Sequence, residues 1–461
     1  MPDQLINKQG LAVAEERIAE FRGGLRGEVI RPGEPLYDSA RRIWNASVDK
    51  HPGIIVCCVG AGDVVDAVNF ARESGLLVAI RGGGHNVGGR ALCDGGMVID
   101  LSRMRGVAVD PNTRTARVQG GAKLGDLDRE THLHGLAAPV GVVSATGVAG
   151  LTLGGGVGWL VRKYGMAVDN VLSMQVVTAE GKLLTASAAE NPDLFWALRG
   201  GGGNFGVVVS FEFQLQPVST VLGGMILFAR DRAPELLRFY RGFVESAPEE
   251  LAAYAGLICA PDGSPVVGVI VCYCGDLAEG ERVIQPLRDF GAPILDAIQP
   301  LPFPKMQSLL DGAFPDGNQN YWKGMFLRGL NDEAIDAMVA HANRAPSPLS
   351  GVVIEYYGGA SSRVPASATA FAHRKETYDI GILTQWPDPA ASEANIAWTR
   401  SLSKALEPFG SGAYLLNFLA ADDDNRIRAA FGQNYDRLVE VKNRYDPTNF
   451  FSVNQNIKPS V

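Results

Sequence analysis

The first part of the chain alternates short apolar runs with amphipathic segments. Residues 11–22 set Leu11, Val13, Ile18 and Phe21 among Glu and Arg, the spacing of a helix. Residues 53–59 form an unbroken apolar run, which predicts a buried strand. Ala61-Gly-Asp63 interrupts it, and Asp63 is the expected N-cap of a helix reaching about Glu73. The strand at 76–80 runs straight into Arg81-Gly-Gly-Gly-His85, so this segment reads as a β-α-β unit ending in a glycine loop. Further strands are predicted at 97–101, 107–109, 115–119 and 171–178, with helices at 123–132 and 193–198. Residues 207–215 alternate apolar and polar positions, the period of a half-buried strand.

Beyond about residue 217 the texture changes. Amphipathic helices at 234–246, 278–290, 332–343 and 393–406 alternate with strands at 222–229, 265–273, 351–357 and 379–385. This predicts an α+β region with a largely antiparallel sheet under helices. The last fifty residues read as a strand near 413–419, a helix over 424–444 and a tail.

Glycine changes the picture. Residues 81–206 hold 26 of the chain's 55 glycines, in clusters at 82–89, 147–158, 165 and 200–206. Such loops either surround an extended ligand whose phosphates need backbone N–H groups or make tight turns in a small β-domain. Gly201-x-Gly203-x-x-Gly206 matches the dinucleotide fingerprint as a string, but an alternating strand follows it where a Rossmann helix should open. Walker loops, Cys-x-x-Cys pairs and zinc-type His motifs are absent, and no metal site is expected. The net charge of −8 argues against a nucleic-acid partner. No apolar stretch is long enough to span a membrane, and the first residues lack an export pattern. With six scattered cysteines, this predicts a reduced cytoplasmic protein without disulfides.

Arg81-Gly-Gly-Gly-His85-Asn-Val-Gly-Gly89 resembles the loop through which flavoproteins of the vanillyl-alcohol-oxidase (PCMH) type hold FAD covalently by histidine. Gly154-Gly-Gly-Val-Gly158, Arg162-Lys-Tyr-Gly165, the run from Leu194 to Val207, Gly358-Gly-Ala360, the run from Thr369 to Arg374 and the tail Tyr445-Asp-Pro…Asn454-Gln-Asn456 are similar to the berberine-bridge-enzyme-like branch. The resemblance covers nearly the whole chain. It implies an FAD-binding domain of two α/β subdomains at 1–216, a substrate domain at 217–410, and a segment at 411–461 that completes the FAD domain.

Carried over by position, Arg81, Gly82, Gly83, Gly84, Asn86 and Gly89 would wall the flavin, with His85 bonded to its 8α-methyl carbon. A second wall would comprise Val143, Ser144, Thr146, Gly147, Gly150, Gly154, Gly155 and Gly158. Gly206, Val207, Val208, Asn454 and Asn456 would complete the cleft. Many relatives attach FAD a second time through a cysteine that aligns with Val143, so a single linkage is expected here. An aromatic residue common in the family is Val157, and the family's Tyr-x-Asn is stretched to Tyr414-Leu-Leu-Asn417, which carries over Asn417 better than Tyr414.

Thr146 occupies the position where, in the family, a bulky Leu obstructs dioxygen and a smaller residue admits it. The resemblance thus implies reaction with O2; the alternative is a buried Thr bonded to backbone. On the strand 352–357, period-two alternation sets Val353, Glu355 and Tyr357 on one face. An acid in an apolar strand is costly to bury unless partnered or functional. Glu355 is therefore the candidate base or substrate-amine anchor, with Tyr357 and Asn417 beside it, unless it points to solvent from an edge strand. Tyr321 and Trp386 are aromatic candidates for the pocket wall, or ordinary core. The implied function is an FAD-linked oxidase taking hydride from a C–H next to O or N of a small molecule and yielding H2O2. A flavin oxygenase of secondary metabolism and a non-catalytic flavin-retaining binder are the competing readings. Monomer and homodimer are both compatible with the sequence.

Overall fold

The computed structural model describes residues 4–461. Its strands fall into three sheets that succeed one another along the chain. The first contains β1 (Glu28–Ile30), β2 (Ile54–Cys57), β3 (Val78–Arg81) and β4 (Met97–Asp100), in the order β1-β2-β4-β3. β2, β4 and β3 are parallel, and β1 is antiparallel to β2. The crossover helix Ala61–Ser74 buries Val64, Ala67, Val68 and Ala71, the 3–4 spacing of a face laid on a sheet. Its N-cap is Gly60 rather than Asp63. Asp63 sits in the first turn, where its carboxylate accepts from the backbone N–H groups of Val59 and Arg26 and so ties two incoming segments together.

The second sheet is antiparallel and runs β5 (Val107–Asp110), β6 (Thr115–Gln119), β9 (Val207–Gln214), β7 (Val171–Val177), β8 (Leu183–Ser187). β8 carries too little buried apolar surface to stand out in the sequence, because only Ala186 is buried. The glycine-rich stretch between β6 and β7 forms only short helices, Val148–Leu153 and Val161–Tyr164, joined by loops.

The third sheet takes β10 (Thr220–Ala229), β11 (Leu251–Cys259), β12 (Pro265–Tyr273), β13 (Leu295–Asp296), β14 (Gln299–Pro302), β15 (Gln319–Leu327), β16 (Gly351–Tyr356) and β17 (Tyr378–Trp386). The order is β13-β10-β12-β11-β16-β17-β15, antiparallel throughout, with β14 also on β10. Helices Ala233–Ser246, Asp332–Ala342 and Ser392–Leu406 cover one face, burying Val352, Ile354, Ile380 and Ile382. The opposite face looks toward the glycine loops. β11 escapes the sequence pattern because both its faces are covered and alanines blur the alternation.

Three expectations need correction. The N-terminal helix is Glu15–Gly24, not 11–22, because Leu11 stays exposed and Ala12 bridges to Ile6. Residues 413–419 are not a strand: Leu416–Phe418 is a single 3₁₀ turn, and Ala413 merely accepts a hydrogen bond from the N–H of Phe326. The helix over 424–444 is broken at Gly432, whose φ of +54° is left-handed, into Ile427–Phe431 and Tyr435–Tyr445.

The last fifty residues return to the first two sheets. Leu438, Val441 and Ile457 join the core of the second sheet, and Phe450 and Phe451 that of the first. Lys442 fixes this return. Its fully buried ammonium donates to Asp446 at 2.6 Å and to the carbonyls of Asn204 and Phe451 at 2.8 and 3.0 Å.

Candidate active site

The glycine loops, the tail and the uncovered face of the third sheet enclose a cavity of about 400 Å³. One wall is the loop after β3. Arg81 anchors it from behind, pairing with buried Asp100 at 2.5 Å and donating to the carbonyl of Ala40. Gly83 packs so closely on Gly147 that any Cβ would strike its backbone, so the two glycine loops touch. Among the described residues, the N–H groups of Gly83 through Val87 donate to no protein acceptor, which leaves a row of donors of the kind that cradles phosphate.

His85, in the middle of this row, lines the cavity. Its imidazole stacks on Trp44, ring centroids 4.2 Å apart and 12° from parallel, and Trp322 meets Trp44 edge-on at 5.1 Å. The Nε2 of His85 is buried without a partner. Burial pushes the imidazole down to about 4, so it is neutral at pH 7. The Oδ1 atoms of Asn417 and Asn454 are likewise buried and unpartnered, and both residues line the cavity. Buried polar atoms normally find partners, so such a set marks where a polar ligand belongs.

The far end is set by the third sheet. Cross-strand register places Tyr254 on β11, Glu355 on β16 and Asp379 on β17 in one row. Glu355 lies between two strands, not on an edge, and its carboxyl is pushed up to about 7 by burial, opposed by the Tyr357 hydroxyl. Tyr357 Oη stands 2.6 Å from Glu355 Oε2 and 3.1 Å from Asp379 Oδ2. The next row reads Gly256, Val353, Gly381. A Cβ on Gly256 would meet only Ile258 Cγ2, at 3.4 Å, so the floor is open there. Met225, Leu227, Ile258, Ile270 and Leu383 make the surrounding walls apolar. The charged side chains lining the cavity are Glu355 and, at the tail end, Arg90, which donates to the Asn454 carbonyl at 2.8 Å.

Of the residues singled out from the sequence, Gly82, Gly83, Gly84, His85, Asn86, Val143, Thr146, Gly147, Gly150, Gly154, Gly206, Val208, Glu355, Asn417 and Asn454 line this one cavity. Arg81, Gly89, Ser144, Gly155, Gly158, Val207, Tyr357 and Asn456 stand behind the lining. Ser144 is held by Asp311, which accepts from its N–H at 2.8 Å and from its hydroxyl. Gly158 accepts from the Tyr254 hydroxyl at 3.1 Å. Gly155 abuts Phe371, Gly89 abuts Val48, and Val207 is packed in the core of the first sheet. The Thr146 side chain makes no hydrogen bond to protein among the described residues.

Tyr321 and Trp386 do not reach the cavity. Tyr321 is one position from the facing residue Trp322 on β15, and Trp386 three from Leu383 on β17; both odd offsets put the side chain on the other face. Trp44, Tyr254, Asp311 and Asp379 were not apparent from the sequence. Asp379 alone had a signal there, the same one as Glu355: an acid within an apolar strand.

The unsatisfied N–H row, the lone imidazole nitrogen and the orphaned amide oxygens fit an extended dinucleotide such as FAD. The sequence profile of the FAD binding domain matches residues 52–187, and that described as berberine and berberine like matches 413–458. The chain is 33% identical to an FAD-linked oxidoreductase of Dictyostelium discoideum, covering 97% of this chain and 98% of the other. It is 35% identical to (R)-6-hydroxynicotine oxidase of Paenarthrobacter nicotinovorans, covering 94% and 97%. The crystal structure of 6-hydroxy-D-nicotine oxidase from Arthrobacter nicotinovorans superimposes with a TM-score of 0.88 over 95% of this chain and 99% of that one, at 32% identity. The glycine cradle, the returning tail and these likenesses over full length agree, and the chain belongs to the FAD-linked oxidoreductases of the berberine-bridge-enzyme-like family, enzymes that use FAD.

Proposed function

We propose that this enzyme is an oxidase that holds FAD through one covalent bond to His85 and removes hydride from a C–H beside N or O of a small, largely apolar substrate. The observation that carries this reading is the opposition, in one cavity, of a buried imidazole whose Nε2 is free and a buried carboxyl with no cationic partner among the described residues. Residues 1–216 with 411–461 would form the cofactor part, and 217–410 the substrate part.

FAD would lie along the glycine loops, with its phosphates on the N–H row after β3, and would supply the hydride acceptor that dioxygen restores, releasing H2O2. The protein's own residues do the rest. His85 is neutral, so one of its ring nitrogens keeps a lone pair for the tether. Val143 offers no second attachment. Glu355 takes the N–H or O–H proton of the substrate as the C–H bond breaks, and Asn417 orients the bound groups by hydrogen bonding. Thr146, smaller than Leu, leaves room for dioxygen. The related nicotine oxidase acts on an amine by its name, which is consistent with an acid facing the substrate.

The test is direct. Flavin should remain with the polypeptide after acid precipitation, and an anaerobic screen of amines and alcohols should find a compound that bleaches it. Readmission of air should then yield one H2O2 per product. Product containing an oxygen atom from O2 without H2O2 would instead identify an oxygenase.

A further inference from the structure

Tyr357 has one hydroxyl proton and two carboxyl neighbours. If Tyr357 donates to one carboxylate, the other contact is a hydrogen bond only if that second carboxyl carries a proton and donates to Oη. The two contacts are unequal: the one to Glu355, 2.6 Å, has the length of a bond to an ionised acceptor, and the one to Asp379, 3.1 Å, is long for O–H···O. Asp379 is fully buried, and its other oxygen has no partner. The Tyr357 hydroxyl and the backbone N–H of Ile380 favour a charge on Asp379, but burial and the neighbouring Glu355 oppose it. The titratable groups facing the pair are Tyr254 on β11 and Tyr357 just after β16, with Tyr240 on the covering helix behind the sheet. None of these is cationic.

We propose that Glu355 and Asp379 hold one proton between them through Tyr357, so that the apolar end of the cavity presents a single negative charge and selects substrates that arrive as monocations, that is, protonated amines on an apolar skeleton. This deepens the reading of the cavity as a substrate site and rests on it. Asp379 is a positioning residue. By donating to Tyr357 it aims the tyrosine hydroxyl at Glu355 and keeps the charge on the carboxylate that lines the cavity. The skeleton lies over Gly256 and Val353, and the ammonium group points at Glu355. Transfer of one ammonium proton to the carboxylate then turns an ion pair into a neutral amine and a neutral acid, with no other atom moving. That exchange is favoured in an apolar cavity and frees the nitrogen lone pair beside the C–H bond. Burial raises both acids, and the charge of Glu355 raises Asp379 further, in keeping with the proton resting on Asp379.

The experiment compares two probes of equal shape on the purified holoenzyme by calorimetry: 4-phenylpiperidine, a cation, and 4-phenyltetrahydropyran, its neutral counterpart. The wild type and Asp379→Asn should bind the cation about tenfold or more tightly than the neutral probe at pH 8. The double variant Glu355→Gln/Asp379→Asn should bind both alike. The pH midpoint of cation binding should lie near 7 in the wild type and stay within about half a unit in Asp379→Asn, because the amide keeps the donation to Tyr357 and removes no charge. Equal binding of the two probes by the wild type, or a cation preference that survives in the double variant, overturns the proposal. So does a midpoint that falls to the ordinary carboxylate range in Asp379→Asn, since Asp379 would then have been charged. None of these readouts uses turnover, so a protein that binds the cation but oxidises nothing would refute the oxidase reading and leave this one standing.

Discussion

The imidazole of His85 lies flat on the indole of Trp44, their centroids 4.2 Å apart. The two residues come from separate segments, and neither motif spacing nor strand periodicity links them. The stack holds the ring by one face and leaves Nε2 buried without a hydrogen-bond partner among the described residues. A tether needs that combination of a fixed ring and a free nitrogen.

His85→Ala should therefore release its flavin on acid precipitation, while single replacements of the six cysteines should not. Trp44→Ala should lower the covalently loaded fraction without abolishing it, because the ring loses its platform but keeps its nitrogen. The absorbance of the precipitate against that of the supernatant measures both.

Thr146 sits in the loop that touches Gly83 through Gly147, facing the cavity. Thr146→Leu should slow reoxidation of anaerobically reduced enzyme by air by about tenfold or more while leaving the reductive half-reaction nearly unchanged, as expected when a single step loses access. Stopped-flow traces of the two half-reactions separate these outcomes, and an unaltered reoxidation rate would refute the gating role.

Glu355, pushed up to about 7, makes two opposed predictions about pH. As a base it must be ionised, so kcat/KM should rise with pH and level off above about 7. For stability the sign is reversed. The unfolded chain ionises this group near its ordinary value of 4.5, so between that value and about 7 the folded state binds more protons and stability falls as pH rises. Glu355→Gln should abolish the activity profile yet raise the melting temperature at pH 8, by a stabilisation on the order of 3 kcal/mol.

Gly256 is the open tile of the sheet floor, its nearest obstacle Ile258 Cγ2. Gly256→Val should fill the space beside Val353, raising KM severalfold with little loss of stability, since Val suits a strand and no backbone obstructs it. A matched thermal melt and substrate titration distinguish this from misfolding.

Lys442 carries the return of the tail. Lys442→Met removes a buried cation from Asp446 and from two carbonyls, which should cost about 3–5 kcal/mol. It should also loosen Phe451 and Asn454 at the cavity wall. Denaturant titration gives the first quantity, and the rate at which unlinked flavin escapes in the His85→Ala background gives the second.

The sequence by itself determined what is local. Period-two alternation put Val353, Glu355 and Tyr357 on one face, and glycine clusters marked loops that line the cavity, because each depends only on neighbours along the chain. Long motifs did the same for the family and for the place of His85 in a cavity-lining glycine loop. Residues 413–419 misled because their apolar pattern suits a strand, while the 3₁₀ turn there is imposed by packing against β15. What only the tertiary structure decided is what meets what. Antiparallel register set Asp379 opposite Glu355 across β16 and β17, and the closing of distant loops laid Trp44 on His85. The phase of β15 chose Trp322 over Tyr321 for the cavity wall. Such pairings are chosen by the burial of whole faces, and a one-residue change of register would exchange every partner while leaving the local pattern of each strand unaltered.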